Sequence, residues 1–379
     1  MLKKTFFLNS RIYTRPKEND YQHRVIIFAG LVSLLFYIGS KVFITNEFVV
    51  QHSQTEIRAA EIMGTAVSII RDYCFESGIK IDEKTDPNNT GLIGTELSEI
   101  TTTLGHLQSK RTTTNPNFAA LIVHLLNEAG TSTGDTVAIG CSASFPALMI
   151  ASLAATKAMG IHPVIIVSLG SSSYGANDPN FNLLDIYKLL ISKKVFDVLP
   201  AAISLGGEKD IGEDFELNAK QQLIQQIKES KLPFIYEKGL QKSIKKRMAI
   251  YKGELADRRI SAFINIGGSQ SNMGISGLVL KVKPALNQNI KEIPEINERG
   301  VIFEMAVLGI PVIHLLYIKG LVLKYNLPWD PIPLPEPGES DLFYSHSTNN
   351  MIFWLIAITY FLVLFLLVIF GKNFIRKFA

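Results

Sequence analysis

Residues 351–371 form a stretch of 21 positions without a single charged side chain. About 20 apolar residues of helix are needed to cross the hydrocarbon core of a bilayer. The stretch therefore predicts a transmembrane helix, and a lipid bilayer is the first partner that the sequence implies. A second uncharged run, residues 25–40, follows Arg24, and residues 42–44 extend it beyond Lys41.

The N-terminal run is interpreted either as a cleaved signal peptide or as an uncleaved signal anchor. The 24 residues that precede it make a long N-terminal region for a signal peptide. Residues 39–43 offer no small-residue cleavage site of the A-x-A type. The sequence therefore favours a signal anchor, with a transmembrane helix over residues 25–45.

The charges that flank the two apolar runs predict their orientation. Residues 1–24 hold six basic and two acidic side chains, and residues 372–379 hold three basic side chains and no acidic one. Because positively charged flanks stay on the cytoplasmic side, both termini are expected inside and residues 46–350 outside. The chain carries a net charge of +4, but these outer residues alone carry about −4. The excess of basic side chains lies in the membrane anchors, so the net charge does not indicate a nucleic-acid partner.

Cys74 and Cys141 are the two cysteines of the chain, and both are expected outside. A disulfide is possible in that compartment. Two buried free thiols are the alternative, which we favour.

Buried strands alternate with helices from residue 135 onward. Residues 135–140 and 162–170 are strand-like and flank a helix over residues 146–159, which together make a βαβ unit. The pattern continues with strands at 201–207, 262–268 and 311–318 and helices at 181–194, 216–231, 242–259 and 298–308. This alternation predicts an α/β domain over residues 135–327, with a doubly wound, mostly parallel, Rossmann-like sheet.

Two segments flank this domain. Residues 46–134 combine a helix predicted over residues 53–78 with a Thr-rich segment, residues 99–118. Residues 328–350 begin with a stretch that carries five prolines. Such a composition predicts an extended, stiff linker, which leads to the transmembrane helix over residues 351–371.

Four of the predicted strands end in loops rich in glycine and serine. In an open parallel sheet, ligands bind beyond the carboxyl ends of the strands, so these loops are expected to lie along one edge. Glycine allows a close approach of the backbone to a ligand, and exposed N–H groups favour an anion. Tight βα turns without a ligand are the alternative. The candidate binding residues in these loops are Ser142, Ser144, Ser172, Ser173, Tyr174, Asn177, Gly206, Gly207, Lys209, Asp210, Gly267, Gly268 and Ser269.

The first of these loops also resembles a nucleophile elbow. The elbow places serine at the centre of G-x-S-x-G on a strand-to-helix turn, whereas residues 140–144 read Gly-Cys-Ser-Ala-Ser. The candidate nucleophile is Ser142. A serine hydrolase also needs a base that a carboxylate orients, and no histidine–aspartate pair is evident, although His106 could fold over the site. The sequence therefore leaves open whether the protein is an enzyme.

The Thr-rich segment also carries two adjacent cations. Lys110 and Arg111, in the Thr-rich segment, could bind carboxylates, arginine through two hydrogen bonds and lysine as a point charge. A solvated surface loop is the alternative for both.

The sequence has no metal-binding motif and no phosphate-binding loop of the G-x-x-x-x-G-K-[ST] type, so no cofactor is predicted.

Several of these stretches together resemble the poly-gamma-glutamate system protein family. The likeness covers about residues 85–340. Its most specific parts are TTTLGHLQSKRTTTNPNF, SFPALMIASLAATKAMG and SSSYGANDPNF, and SLGGEKDIG, NIGGSQSN and GIPVIHLLYIKG add to it. The resemblance implies a component of poly-γ-glutamate synthesis in a bacterial cytoplasmic membrane. There it would work beside an ATP-dependent amide ligase and small membrane subunits. The resemblance implies a process and no catalytic residues.

Three functions stay open at this point. The first is a membrane-anchored accessory component of poly-γ-glutamate synthesis or export, which binds the anionic polymer or a partner subunit outside the membrane. The second is an outer-face serine hydrolase or transferase that acts on the polymer through Ser142. The third is a membrane scaffold without a ligand.

Overall fold

The computed structural model describes residues 16–49, 54–253, 259–339, 344–348 and 350–375. The chain divides into two compact units. The two chain ends, Met1–Val50 and Tyr344–Ala379, form a terminal unit, and Gln51–Phe343 forms a larger unit. Residues 1–15 and 376–379, which belong to the basic segments predicted inside the cell, lie outside the described residues.

Helices and strands alternate along most of the described chain. The helices are α1 (Pro16–Ile44), α2 (Gln54–Glu76), α3 (Leu107–Thr113), α4 (Asn117–Glu128), α5 (Pro146–Met159), α6 (Leu183–Ser192), α7 (Leu217–Ser230), α8 (Leu240–Gly253), α9 (Gln270–Met273), α10 (Val301–Val307), α11 (Ile318–Tyr325) and α12 (Asn350–Ile375). The strands are β1 (Thr45–Val49), β2 (Thr101–Thr103), β3 (Thr136–Ser142), β4 (His162–Ser168), β5 (Ser171–Ser172), β6 (Asn177–Asp178), β7 (Phe181–Asn182), β8 (Ala202–Ser204), β9 (Phe234–Ile235), β10 (Ile260–Ile266), β11 (Ala285–Asn287), β12 (Val312–Leu315) and β13 (Tyr344–Thr348).

The terminal unit pairs the two ends of the chain. Strand β1 runs antiparallel to β13, and the hydroxyls of Ser33 in α1 and Tyr360 in α12 lie 2.9 Å apart. Among the described helices, one is long and apolar enough to cross a membrane, namely Ile352–Phe370 within α12. The apolar part of α1, Ile26–Ser40, is shorter than this. The C-terminal segment thus has the length and composition of a membrane span, and the N-terminal span stays a prediction.

A mostly parallel sheet forms the centre of the larger unit. Within the described residues it has seven strands, in the order β11–β12–β10–β3–β4–β8–β9, and β11 alone runs antiparallel at one edge. In chain order, β4, β8 and β9 extend from one side of β3, while β10 and β12 extend from the other. The strand order therefore reverses between β3 and β10, which pair with Cys141 opposite Ile266. Ligands of open α/β sheets bind beyond the carboxyl ends of the strands at such a switch point.

Helices flank this sheet. In β3, Val137 and Ile139 belong to an apolar cluster with α2, α4 and α5. Ala138, which lies between them, belongs to a second cluster with α8 and α10. Every residue of β3 is buried, which explains the apolar run over residues 137–141 of the sequence. The predicted mixed α/β architecture with a mostly parallel sheet is confirmed.

Helices α5, α6 and α7 lie within two residues of their predicted bounds, whereas α8 ends at Gly253, six residues before its predicted end. Pro146 begins α5, and Gly160 ends it in a left-handed conformation with φ of 66°, as expected for a C-terminal glycine. A capping box begins α6, since the Asn182 side chain accepts from Leu184 N and the Asp185 side chain accepts from Asn182 N. Cys74 and Cys141 are both buried free thiols.

Within the larger unit, the Thr-rich segment and the Pro-rich segment pack against neighbouring elements. Strand β2 of the Thr-rich segment runs parallel to β5, with Thr103 opposite Ser172. In the Pro-rich segment, Asp330 N donates to Thr112 Oγ1 at 2.9 Å. Gly338 N donates to Asn117 Oδ1, also at 2.9 Å. Residues 328–339, predicted as the first part of a linker, are thus held beside α3 and α4.

Candidate functional site

A cavity of about 780 Å³ opens at the carboxyl edge of the sheet. The loops that follow β3, β4, β8, β10 and β12 form its walls, together with the Thr-rich segment. The predicted binding residues that line it are Lys110, Ser142, Ser144, Ser172, Gly207, Gly268 and Ser269. All four of the glycine- and serine-rich loops therefore contribute to one cavity at the switch point.

Lys110 is a buried cation in the wall of this cavity. Helix α3 carries it, and only 3% of the residue is exposed. Its Nζ lies 2.7 Å from Ser172 Oγ, donates to the backbone oxygen of Ser144, and lies 3.8 Å from the centroid of the Phe145 ring. No carboxylate of the described residues pairs with it. Burial without such a partner disfavours the ammonium form and lowers the pKa of Lys110 to about 7.

Two serine-rich turns are fastened together beside this lysine. Ser172 N donates to Ser144 Oγ at 3.0 Å, and Ser171 Oγ donates to the backbone oxygen of Ala143 at 3.1 Å. The pairing of β5 with β2 holds Ser172 from the other side. Ser172 is 8% exposed, and it lines the cavity. Its backbone is therefore fixed from two directions while its hydroxyl stays within reach of the cavity.

Ser142, the predicted nucleophile, has a different environment. It ends β3 and is buried at the cavity wall, and its Oγ lies 3.4 Å from the backbone oxygen of Ile266. A Cβ at Gly267 would lie only 2.2 Å from Ser142 Oγ, and Gly267 has φ of 79°. Both facts require glycine at that position. Within the described part of the chain, neither a histidine nor a lysine hydrogen-bonds to Ser142.

Several other predicted binding residues have partners away from the cavity wall. The guanidinium of Arg111 forms two hydrogen bonds to the carboxylate of Asp330. Lys209 is exposed and pairs with Glu213 at 2.5 Å. Further residues of this group are Ser173, Tyr174, Asn177, Gly206, Asp210 and Gly267. Lys110 therefore lies at the cavity, whereas Arg111 pairs with a carboxylate of the Pro-rich segment.

Asn177 connects two of the segments that build the cavity. Its Nδ2 donates to the backbone oxygen of Thr95 and to Thr101 Oγ1, each at 2.9 Å. Its Oδ1 accepts from Thr95 N at 3.1 Å. This buried amide therefore fixes the beginning of the Thr-rich segment against the loop that follows β4.

Asp210 forms a buried ion pair with Arg247 under the loop that follows β8. The two side chains are 1% and 0% exposed, with Nη2 and Oδ2 2.8 Å apart. Arg247 Nη2 also donates to Ser204 Oγ at 2.6 Å and to Ser168 Oγ at 3.0 Å. The network therefore ties α8 to the ends of β4 and β8. Sequence reasoning missed Arg247, although it lies three positions after Ile244 and four before Tyr251, a spacing that places all three on the buried face of α8.

The mouth of the cavity contains further residues that the sequence reasoning missed. Tyr317 and Lys319 follow β12, and Trp329 lies in the Pro-rich segment, where Lys319 Nζ is 5.9 Å from its ring centroid. Glu208 and Asp214, both exposed, add negative charge at the mouth. The loop after β12 lacks the glycine–serine signal of the other four loops, which is why it was not recognised.

His106 lines the cavity, in agreement with the prediction that the Thr-rich segment folds over the site. Among the described residues, no group of three or more His, Cys, Asp or Glu side chains is placed to hold a metal ion.

No protein-family model, curated protein or solved structure matches the chain.

Proposed function

We propose that this protein is a membrane-anchored accessory component of poly-γ-glutamate synthesis or export, and that its α/β domain binds the polymer in the cavity at the switch point. The observation that carries the proposal is Lys110, a buried cation at the cavity wall without a carboxylate partner among the described residues. Poly-γ-glutamate is a chain of free carboxylates, so it supplies the partner that this lysine lacks.

The energetics of the buried lysine favour an anionic ligand. Desolvation penalises its ammonium form, which lowers the pKa of Lys110 to about 7. A carboxylate within about 4–6 Å would favour the charged form again, and the charge-assisted hydrogen bond would add to the affinity. Lys319 at the mouth provides a second cation. Glu208 and Asp214 oppose an anion there, so the attraction has to be strongest deep in the cavity.

The resemblance to the poly-gamma-glutamate system protein family supports the same process. The segments that carry the resemblance are also the ones that build the cavity. The Thr-rich segment contributes Lys110, the loop after β3 contributes Ser144, and the loop after β4 contributes Ser172. NIGGSQSN contributes Gly268 and Ser269. These segments are part of a resemblance that extends over about residues 85–340.

The membrane arrangement is part of the proposal. We place the α/β domain outside the cytoplasmic membrane, with an N-terminal span over residues 25–45 and both termini in the cytoplasm, beside the ligase and the small membrane subunits. We also propose that the sheet is doubly wound, which the strand order and the two apolar clusters support. A C-terminal tag should resist protease added to intact cells, and its digestion from outside would overturn this placement.

Ser142 is not proposed as a nucleophile. Its hydroxyl lies 3.4 Å from the backbone oxygen of Ile266, and no base among the described residues hydrogen-bonds to it. The imperfect nucleophile elbow is better explained as a turn that brings Ser144 and its backbone to the cavity.

Titration of the detergent-solubilised full-length chain with oligo-γ-glutamate tests the proposal. We expect saturable binding to the wild type, and a loss of about tenfold or more for Lys110→Gln, since a desolvated charge pair is removed. Lys246→Gln is the matched control, because Lys246 is an exposed lysine on α8. Equal affinity for uncharged oligo-γ-glutamine, or no binding at all, would overturn the proposal.

A further inference from the structure

We propose that Ser172 and Lys110 form a serine–lysine dyad that cleaves or transfers γ-glutamyl amide bonds, with Ser172 as the nucleophile and Lys110 as the general base. The substrate class rests on the proposed function, whereas the dyad is inferred from the geometry of the two side chains. It differs in its nucleophile from the Ser142 hypothesis that the sequence suggested, and it names a base, which that hypothesis did not.

The geometry of the two side chains is that of a nucleophile and its base. Lys110 Nζ lies 2.7 Å from Ser172 Oγ, within the range expected for such a pair. Ser172 lines the cavity, so a bound carbonyl carbon can approach its Oγ. Lys110 Nζ is oriented by two further contacts, the backbone oxygen of Ser144 and the face of the Phe145 ring. A base held by neighbours in this way is pre-positioned for proton transfer.

Lys110 also has the protonation behaviour that a lysine base needs. A lysine accepts a proton only in its neutral form, and burial lowers the pKa of Lys110 to about 7. At neutral pH a substantial fraction of the molecules therefore carries a neutral amine beside the serine. The best general bases have a pKa near the working pH.

The reaction balances without any further reagent. Ser172 Oγ bonds to the amide carbonyl carbon while its proton moves to Lys110 Nζ. When the tetrahedral intermediate collapses, the carbon–nitrogen bond breaks and the departing nitrogen takes that proton, which leaves an ester on Ser172. Water then attacks the ester and passes a proton through Lys110 back to Ser172 Oγ. The products are a carboxylic acid and an amine, or a new amide if an amine attacks in place of water.

Other serines at this edge are engaged differently. Ser144 Oγ accepts the hydrogen bond of Ser172 N, and Ser171 Oγ donates to two backbone oxygens. Ser142 Oγ lies beside the backbone oxygen of Ile266. Among the described serines of the cavity wall, Ser172 is the one whose hydroxyl is hydrogen-bonded to a lysine.

Gly105 leaves room for the dyad. A Cβ at this position would lie 2.7 Å from the backbone oxygen of Ser173, 3.1 Å from Ser172 Oγ and 3.2 Å from Lys110 Cε. The first approach is too close for any side chain, and the other two are tighter than ordinary van der Waals contact. A larger residue at position 105 would therefore disturb the backbone beside Ser172 and crowd both side chains of the dyad.

Binding and catalysis use different forms of the same amine. The ammonium form of Lys110 attracts the polymer, and a carboxylate at Nζ keeps it protonated. The proposal therefore requires a productive complex in which an amide carbonyl of the polymer lies at Ser172. The carboxylates of the polymer then lie toward Lys319 and the backbone groups. Turnover should therefore rise with pH through about 7, while affinity for the polymer falls over the same range.

The test incubates the full-length chain in detergent with oligo-γ-glutamate and measures fragments or transfer products by mass spectrometry, with a p-nitrophenyl ester as a general acyl probe. We expect wild-type turnover, an acyl adduct on Ser172, and a loss of about 100-fold or more in Ser172→Ala. Lys110→Arg keeps the charge but cannot act as a base, so it should still bind the oligomer and should not cleave it. Ser152→Ala is the matched control, since Ser152 is a buried serine of α5 whose hydroxyl donates to the backbone oxygen of Leu148, away from the cavity wall. Melting temperatures of all variants verify folding.

Each outcome is decisive. Oligomer binding without turnover of either substrate, or full activity in Ser172→Ala, would overturn the dyad and leave the proposed function intact. Ester turnover that depends on Ser172, without any oligomer binding, would support the dyad and overturn the proposed function. Activity that survives Ser172→Ala and disappears in Ser142→Ala would replace the dyad with the sequence hypothesis.

Discussion

The side-chain nitrogen of Lys110 lies 2.7 Å from the hydroxyl oxygen of Ser172, although 62 positions of sequence separate the two residues. The contact depends on two elements. The Thr-rich segment carries Lys110 on α3, and its strand β2 pairs with β5, which contains Ser172. The cavity is thus assembled from the switch point of the sheet and from a segment that precedes the sheet in the chain.

The stability of the fold should depend on pH through Lys110. The pKa of this lysine is about 7 in the folded chain and has an ordinary value of 10.5. Between these values the unfolded chain binds more protons, so the free energy of unfolding rises with pH. Below pH 7 both states are protonated and the cost of burying the charge is fully present.

Denaturation of the wild type and of Lys110→Met at several pH values checks this dependence. Relative to the variant, the free energy of unfolding of the wild type should increase from pH 7 to pH 10. The expected slope is about 1.4 kcal/mol per pH unit. Parallel stability curves for the two proteins would contradict the burial of an unpaired lysine.

Removal of Arg247 should destabilise the larger unit severely. Its partner Asp210 is 1% exposed, and breaking a buried ion pair leaves an uncompensated charge, which costs about 3–5 kcal/mol. We expect a loss of this size for Arg247→Met in chemical denaturation. Lys246→Met, an exposed change on the same helix, should stay within about 0.5 kcal/mol of the wild type. A similar effect of both substitutions would refute a structural role for the pair.

Alanine at Gly267 should cost more than alanine at Gly130. Both glycines have positive φ, 79° and 81°, so both substitutions strain the backbone by about 1–2 kcal/mol. A Cβ at Gly267 would also collide with Ser142 Oγ, whereas nothing lies within 4 Å of a Cβ at Gly130. The melting temperature should therefore fall further for Gly267→Ala than for Gly130→Ala. Equal decreases in the two variants would show that the turn after β10 accommodates the added methyl group.

Neutralising Glu208 should strengthen binding of the polymer. Glu208 lies exposed at the mouth of the cavity, where its charge repels carboxylates. Glu208→Gln should lower the dissociation constant for oligo-γ-glutamate about two- to fivefold at low salt, and the gain should shrink as salt screens the charge. Titrations at two salt concentrations measure this, and a weaker complex in the variant would argue against an anionic ligand.

Much of the fold could be predicted because local signals agree with tertiary packing. The helix over Pro146–Met159 was predicted with its observed bounds, since Pro146 and Gly160 mark its two ends. Strand β3 is buried along its whole length and β4 from Val164 to Ser168, so their central residues stand out as apolar runs. Their glycine- and serine-rich ends then indicated which edge of the sheet contains the cavity.

The roles of single residues in the site could not be predicted in the same way. Lys110 and Arg111 are adjacent and look equivalent in sequence, yet one is buried at the cavity and the other binds Asp330. That difference depends on the orientation of α3 and on Asp330, which lies 219 positions after Arg111. The bond between Lys110 and Ser172 is likewise a long-range contact, for which no local pattern exists.

Hydrogen–deuterium exchange of the full-length chain, with and without oligo-γ-glutamate, tests most directly whether the polymer binds at the switch point. We predict slower exchange in residues 104–110, 142–145, 170–173 and 267–270, the segments that enclose the cavity, and no such protection with uncharged oligo-γ-glutamine. Unchanged exchange in these segments under saturating oligo-γ-glutamate, or protection confined to other parts of the chain, would contradict the account.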